Sequence, residues 1–225
     1  MIEPSLALIT VGFTLGLVHA LDADHVMAVS AMANSRPGFW RSLRYCANWA
    51  LGHGGVLLVC GALLFGFGLG VPPTLAWAAE LSVGVFLVVL GALCLWRFRR
   101  ARIRMIEHRH GDVVHRHWEV EGSDHAGNRR ARHTPVMVGM LHGLAGSAPA
   151  LALVPVVVHG DSLGALGYLL LFSLGVMLAM LAFGLGFGAL QRYLHERYLW
   201  LFDAMQRTVA GAAMVVGGYW IAQAL

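Results

Sequence analysis

His19-Ala20-Leu21-Asp22-Ala23-Asp24-His25 sets two imidazoles and two carboxylates into one otherwise apolar stretch of the chain. Imidazole nitrogen together with carboxylate oxygen suits nickel, cobalt, zinc or copper(II), whereas copper(I) favours sulfur and magnesium favours oxygen alone. The ten Met residues form no ligand-like cluster, which counts against copper(I). On a helix turning about 100° per residue, His19, Asp22 and His25 fall within an arc of roughly 120°, and Asp24 points elsewhere. The first three are placed to share an ion. Asp24 joins them only if the helix unwinds, or else orients a ligand from behind.

The elements that must hold these residues are membrane helices. Of the 225 residues, 58% are hydrophobic and 12% charged, against roughly 25% charged in a soluble domain. Stretches that satisfy the roughly 20-residue bilayer requirement run over Leu6–Asn34, Tyr45–Gly70, Leu75–Trp96, Val136–Val158, Leu163–Leu190 and Leu199–Leu225. Met1-Ile2-Glu3-Pro4 lacks the basic region and small-residue cleavage site of a signal peptide, so the first stretch is expected to stay as a span. Each ionisable group at that depth costs several kcal/mol, roughly 2.5 to 3.5 on insertion scales, unless it is paired, hydrated or bound to an ion. Four together demand a common purpose.

Charge placement agrees with six spans. The sixteen basic residues are all Arg, and they follow the first span (Arg36, Arg41, Arg44), the third (Arg97 to Arg132) and the fifth (Arg192, Arg197, Arg207). The positive-inside bias therefore puts those three loops in the cytoplasm and both termini outside it, in the cell inner membrane. This distribution is a topology signal, and no nucleic-acid partner is expected. Cys46, Cys60 and Cys94 are scattered, without a CxxC pair, and read as helix-packing residues.

His53 adds an imidazole in the second span. It lies nine residues beyond Arg44, or roughly 13 to 14 Å from the cytoplasmic face, while His25 lies eleven before Arg36, at about 16 Å, so the two can meet at one depth. The second half of the chain echoes the first at an offset of 123 residues: Gly16-Leu17-Val18-His19 matches Gly139-Met140-Leu141-His142, and Leu51-Gly52 matches Leu174-Gly175. An odd number of spans per copy inverts the second, as in secondary transporters that bind their ion where two halves meet. The expected fold is all-α: a polytopic membrane protein of about six transmembrane helices in two inverted three-helix repeats, residues 1–96 and 135–225, joined by a cytoplasmic Arg- and His-rich loop, 97–134. His142, as the mate of His19, joins the candidate site. A membrane His can also serve only to hydrogen-bond a neighbouring helix. Gly143, Gly146 and Pro149 read as interrupting the fourth span, with Ser147 facing an ion path. Glu80 is read as snorkelling to water at the outer end of the third span. His108, His110, His115, His117, His125 and His133 suit weak metal capture, or a solvated linker.

His-Ala-Leu-Asp-Ala-Asp-His-Val, from His19 to Val26, resembles the signature of the nickel/cobalt transporter family (NicO/NiCoT), and Leu51-Gly52-His53-Gly54-Gly55-Val56 resembles that family's Gly-His motif. The six-span layout with a His-rich central loop is similar to the UreH-like branch. The resemblance implies that His19, Asp22, Asp24, His25 and His53 select or pass the metal, with Ni(2+) or Co(2+) ahead of Zn(2+) as cargo and no resident cofactor. It implies a cytoplasmic metallochaperone, or a urease or hydrogenase maturation protein, as partner. The family's best-known permeases have eight spans and carboxylates in later helices, where this chain reads His142-Gly143-Leu144-Ala145-Gly146 and Phe172-Ser173-Leu174-Gly175. Importers and exporters both occur in the wider family.

Two other classes fit some of these residues. A membrane metalloenzyme would use the same His/Asp cluster for catalysis, but H-E-x-x-H is absent from the sequence; no Walker A pattern is present either, so the chain is read as a transporter and not as an enzyme. A haem carrier would use facing histidines such as His19 or His53 with His142, and would have no need of the carboxylates.

Overall fold

The computed structural model describes residues 4–34, 38–100, 103–110, 113–120, 130–145 and 162–225. In chain order these form α1 (Pro4–His19), α2 (Ala23–Asn34), α3 (Phe39–Phe67), α4 (Pro73–Arg100), strands β1 (Ile103–His110) and β2 (Val113–Val120), α5 (Arg130–Leu144), α6 (Ser162–Arg197) and α7 (Leu199–Ala224). Phe39–Phe67, Pro73–Phe98 and Leu163–Arg197 are long and apolar enough to cross a bilayer, so the chain is a multi-pass membrane protein. Leu51, Val59, Val89 and Leu178 are exposed on these spans, as a lipid-facing surface requires. The turn from α3 to α4 is built by Gly68, whose φ of 68° lies in the left-handed region. Its N–H donates to the Leu64 carbonyl at 2.9 Å, and that of Leu69 donates to Leu63 at 3.1 Å, satisfying carbonyls the helix leaves open. Pro73 then starts α4, where its fixed φ suits a first helical residue.

One sequence expectation changes. Leu6–Asn34 is two helices and not one: the chain breaks at Ala20-Leu21-Asp22, where the N–H of Leu21 reaches back to Val18 at 3.0 Å and that of Asp22 to His19 at 3.1 Å. The tighter turn is followed by a restart in which the Asp22 carbonyl accepts from Val26 at 3.1 Å, as an N-cap residue does. The fourth span is described as α5 with a bend at Ala145; Gly146, Ser147, Pro149 and His159 lie outside the described residues, as do Arg36 and His125. The membrane fold is all-α, and the strands, among the described residues, lie in the connection between α4 and α5. β1 and β2 pair antiparallel, with Arg104 opposite Glu119 and His108 opposite His115. Val113, Val114, Trp118 and Val120 supply the strand-forming residue types, and Gly111-Asp112 is a hairpin signal in sequence.

Helix directions follow from where glycines meet neighbours. On α1, Gly12 lies against Tyr168 and Gly16 against Phe172, so α1 and α6 run parallel; α3 and α5 also pack closely through Gly52, Gly139 and Gly143. The parallel course of α3 and α5 follows from Gly139 against Trp49 and then Gly143 against His53 and Val56, where both numbers rise together. Gly54 against Ser173 and Gly184 against Cys46 make α3 and α6 antiparallel, and Gly84 against Gly217 with Gly91 against Ala210 does the same for α4 and α7. A Cβ on Gly16 would collide with the Phe172 carbonyl and one on Gly139 with that of Trp49; likewise Gly52 with Val136 and Gly175 with Phe13. Both members of each pair are related by the 123-residue offset seen in the sequence.

Gly52→Ala or Gly139→Ala puts a methyl group against backbone that cannot turn aside, and is expected to cost about 1–3 kcal/mol, read as a lower melting temperature of the detergent-solubilised protein. Gly186→Ala, where an added carbon meets no neighbour, is expected to leave it unchanged.

Candidate metal centre

The break in the first span brings three helix ends and one helix middle together. His19 closes α1, His25 lies in the first turn of α2, His53 sits within α3 and His142 lies in the last turn of α5. All four side chains are buried, His53 completely. Ring centroids stand 4.6 Å apart for His19 and His25, 5.4 Å for His19 and His53, 5.1 Å for His25 and His53, and 5.4 Å for His25 and His142. One ligand atom each from His19, Asp22 and His25 lies within 4.8 Å of the other two. The face read from the sequence is therefore assembled, although by a turn and not by a continuous helix.

The hydrogen bonds of these rings decide which nitrogens remain open. His19 Nδ1 lies 2.8 Å from Asp22 Oδ2, His25 Nδ1 lies 3.0 Å from the His19 carbonyl, and His142 Nδ1 lies 2.8 Å from the Val138 carbonyl. An oxygen acceptor at Nδ1 holds the proton there, so that Nδ1–H donates and Nε2 keeps its lone pair. That is how metal-binding histidines are oriented. Nε2 of His19, Nε2 of His142 and both nitrogens of His53 are buried without a hydrogen-bond partner, each orphan costing about 1–3 kcal/mol. His25 Nε2 faces Asp24 Oδ2 at 3.7 Å, too far for a hydrogen bond. Two acceptors so placed repel one another unless a cation lies between them; ligands each about 2 Å from an ion stand about 3 to 4 Å apart. Asp24 stands beside His25 and next to the His19, Asp22, His25 group, as expected if the helix unwinds, because the helix restarts just before it.

Two neighbours were not singled out from the sequence. Trp49 stacks on His53 at 4.9 Å and touches His25 at 4.8 Å and His142 at 5.6 Å. Phe172 covers His19 at 5.3 Å. Trp49 and Phe172 are themselves 123 residues apart, so the repeat offset was the signal that would have found them. Ser173 Oγ is buried and unpartnered beside Gly54. Cys46 and Cys94 are buried and unpaired, as packing residues should be. Glu80 is on α4, outside this cluster.

Comparison with known proteins places this arrangement. The family model described as "Cytochrome C biogenesis protein transmembrane region" matches residues 11–220, which take in every residue of the cluster. The urease accessory protein UreH of Bacillus sp. (strain TB-90) is 31% identical over 178 residues, covering 79% of this chain and 75% of the relative. The chain belongs to the UreH-like nickel/cobalt transporter family, and to the membrane family that the model describes. No solved structure matches. For a member of this family, the cluster is notable for drawing on both halves of the chain, since His142 stands beside the motif residues of the first three helices.

His53 provides a test of whether these orphaned nitrogens are structural. In chelator-treated protein, His53→Leu is expected to melt no lower than wild type, because an apolar side chain replaces two unsatisfied polar atoms. Leu87→Ala, an ordinary core truncation, is expected to cost about 2–5 kcal/mol. A comparable loss for His53→Leu would reveal a structural bond.

Proposed function

We propose that this protein carries a divalent transition-metal ion, nickel or cobalt first and zinc less readily, across the cell inner membrane through a site made by His19, Asp22, Asp24, His25, His53 and His142. The observation that carries the reading is the set of buried Nε2 lone pairs, on His19 and His142, each held open by a bond at Nδ1. Such a set has no role in a closed apolar core and fits an ion that exchanges its water shell for imidazole and carboxylate. UreH bears the name of a urease accessory protein; delivery to a metallochaperone or a urease or hydrogenase maturation protein is the matching partner reading here. The haem reading is disfavoured by packing: His142 is packed against His25 at 5.4 Å and Trp49 at 5.6 Å, and Trp49 also stacks on His53 at 4.9 Å, which leaves no slot for a porphyrin beside His142.

Two inverted three-helix repeats, 1–96 and 135–225, underlie the mechanism in this reading. The antiparallel course of α3 against α6 and of α4 against α7 supports it, as do the paired glycine contacts at a constant offset. The ion site then lies where the halves meet, with the Arg-bearing loops, including 97–134, in the cytoplasm and both termini outside. Rocking of one half against the other exposes the site to alternate sides, and within the protein the chemistry is ligand exchange alone: imidazole lone pairs receive the ion, and Asp22, half-exposed at the rim, is the first carboxylate an entering cation meets.

Nickel and cobalt content of cells expressing the protein, beside cells expressing His19→Ala with His25→Ala at equal membrane abundance, tests the proposal. A several-fold difference is expected, higher than the variant for an importer and lower for an exporter. Equal content for nickel, cobalt and zinc would overturn transport and favour a membrane metalloenzyme built on the same cluster.

A further inference from the structure

A second buried polar group lies away from the histidines, at the end of the bundle that carries Arg41, Arg44, Arg192 and Arg207. Asn34, Ser42, Gln191 and Gln206 are all buried there, Gln191 completely. Ser42 Oγ donates to Gln191 Oε1 at 3.3 Å. Gln191 Nε2 donates to Asn34 Oδ1 at 3.1 Å, and Asn34 Nδ2 donates to the Gln206 carbonyl at 3.3 Å. The chain of bonds therefore runs from α3 to α6 to α2 to α7, and every link joins the first half of the sequence to the second.

Asn34 follows His25 by nine residues and Ser42 precedes His53 by eleven, which separates this network from the histidines by about 13 to 17 Å along the helix axes. The layer between is apolar: Val29, Trp49, Val176 and Met180 are buried there, and Cys46 lies against Gly184 one turn inward of Ser42. The opposite end of the same interface is closed differently, by Tyr168 over Gly12 and Leu169 over Gly61, and the Tyr168 hydroxyl is buried without a partner. At that opposite end Trp77 Nε1 donates to the Ala224 carbonyl at 2.7 Å, an exposed bond between α4 and α7, whereas the Arg-bearing end holds a buried side-chain network that links α2, α3, α6 and α7. The bonds of that network are neutral and at the long end of the usual range, so they hold a closed state without fixing it.

We propose that Asn34, Ser42, Gln191 and the Gln206 backbone form the latch that shuts the ion path at the Arg-bearing end, and that the latch must part for the ion to pass between the histidines and that side. The proposal rests on the transport reading above, but its labelling test does not require knowing the cargo. Cys46 is a native reporter, buried just inside the latch. In a Cys60→Ser, Cys94→Ser background, N-ethylmaleimide labelling of Cys46 is expected to be slow, and to rise at least tenfold in Gln191→Leu, while Tyr168→Phe leaves it unchanged. Equal labelling in Gln191→Leu and its parent would overturn the latch even if His19→Ala still altered metal content. A second variant guards against misfolding as the cause of labelling. Ser42→Cys with Gln191→Cys, in a background without native cysteines, is cross-linked by a short bis-methanethiosulfonate and assayed for nickel flux in vesicles. Flux should stop when the bridge forms and return with reductant. Unchanged flux in the bridged protein would sink the proposal.

Discussion

An imidazole buried among apolar helices must either find partners for both nitrogens or leave a lone pair facing another group. At the centre of this bundle three of the four rings find a local partner for one nitrogen: Asp22 for His19, the His19 carbonyl for His25 and the Val138 carbonyl for His142. The helix break at Ala20–Asp22 is the means, because it frees the His19 carbonyl from the helical ladder and swings His25 back over it. Close helix approach is the other requirement. With Gly52, Gly139 and Gly143 on the α3–α5 contact, His53 and His142 reach the rings of the first span, which larger residues at those positions would keep apart.

The signature residues were legible because their types are rare at membrane depth. Charged and imidazole groups in an apolar run stand out by cost, and their spacing was close enough to a helical face to group His19, Asp22 and His25 correctly. The match of His142 to His19 was legible through a constant offset, which the glycine contacts reproduce. The broken helix was not, since Ala20-Leu21-Asp22 contains neither Gly nor Pro and nothing local forbids a helix there; the bonds that favour the turn come from side chains six residues or fewer away. Asp24 was expected near the others only if the helix unwinds, and the break at Ala20–Asp22 supplies that condition. Trp49 and Phe172 escaped notice because aromatic residues in membrane spans are ordinary, and only their neighbours make them walls of a site. The hairpin was hidden by its charge, which masks the alternation of Val113, His115 and His117 with Val114 and Arg116.

The two halves have parted in chemistry while keeping their contacts. His19 packs on Phe172 as His142 packs on Trp49, yet His53 corresponds to Val176 at the same offset. The first half brings His19, Asp22, Asp24, His25 and His53 to the cluster, and the second brings His142, the covering ring of Phe172 and the buried Ser173. In the transport reading proposed above, this asymmetry would let the two directions of access differ in energy.

The restart of the helix at Ala23 also sets the electrostatic balance of the centre. The carbonyl end of α1 carries the negative pole of a half-helix dipole and favours a cation, whereas the amino end of α2 carries the positive pole and opposes one. Asp22 and Asp24 stand at that opposing pole. In the transport reading proposed above, two carboxylates among neutral imidazoles would balance the charge of a divalent ion, so that loading would leave the centre electroneutral. Charge balance at one helix junction would then set how easily the loaded and the vacant centre move within the bilayer.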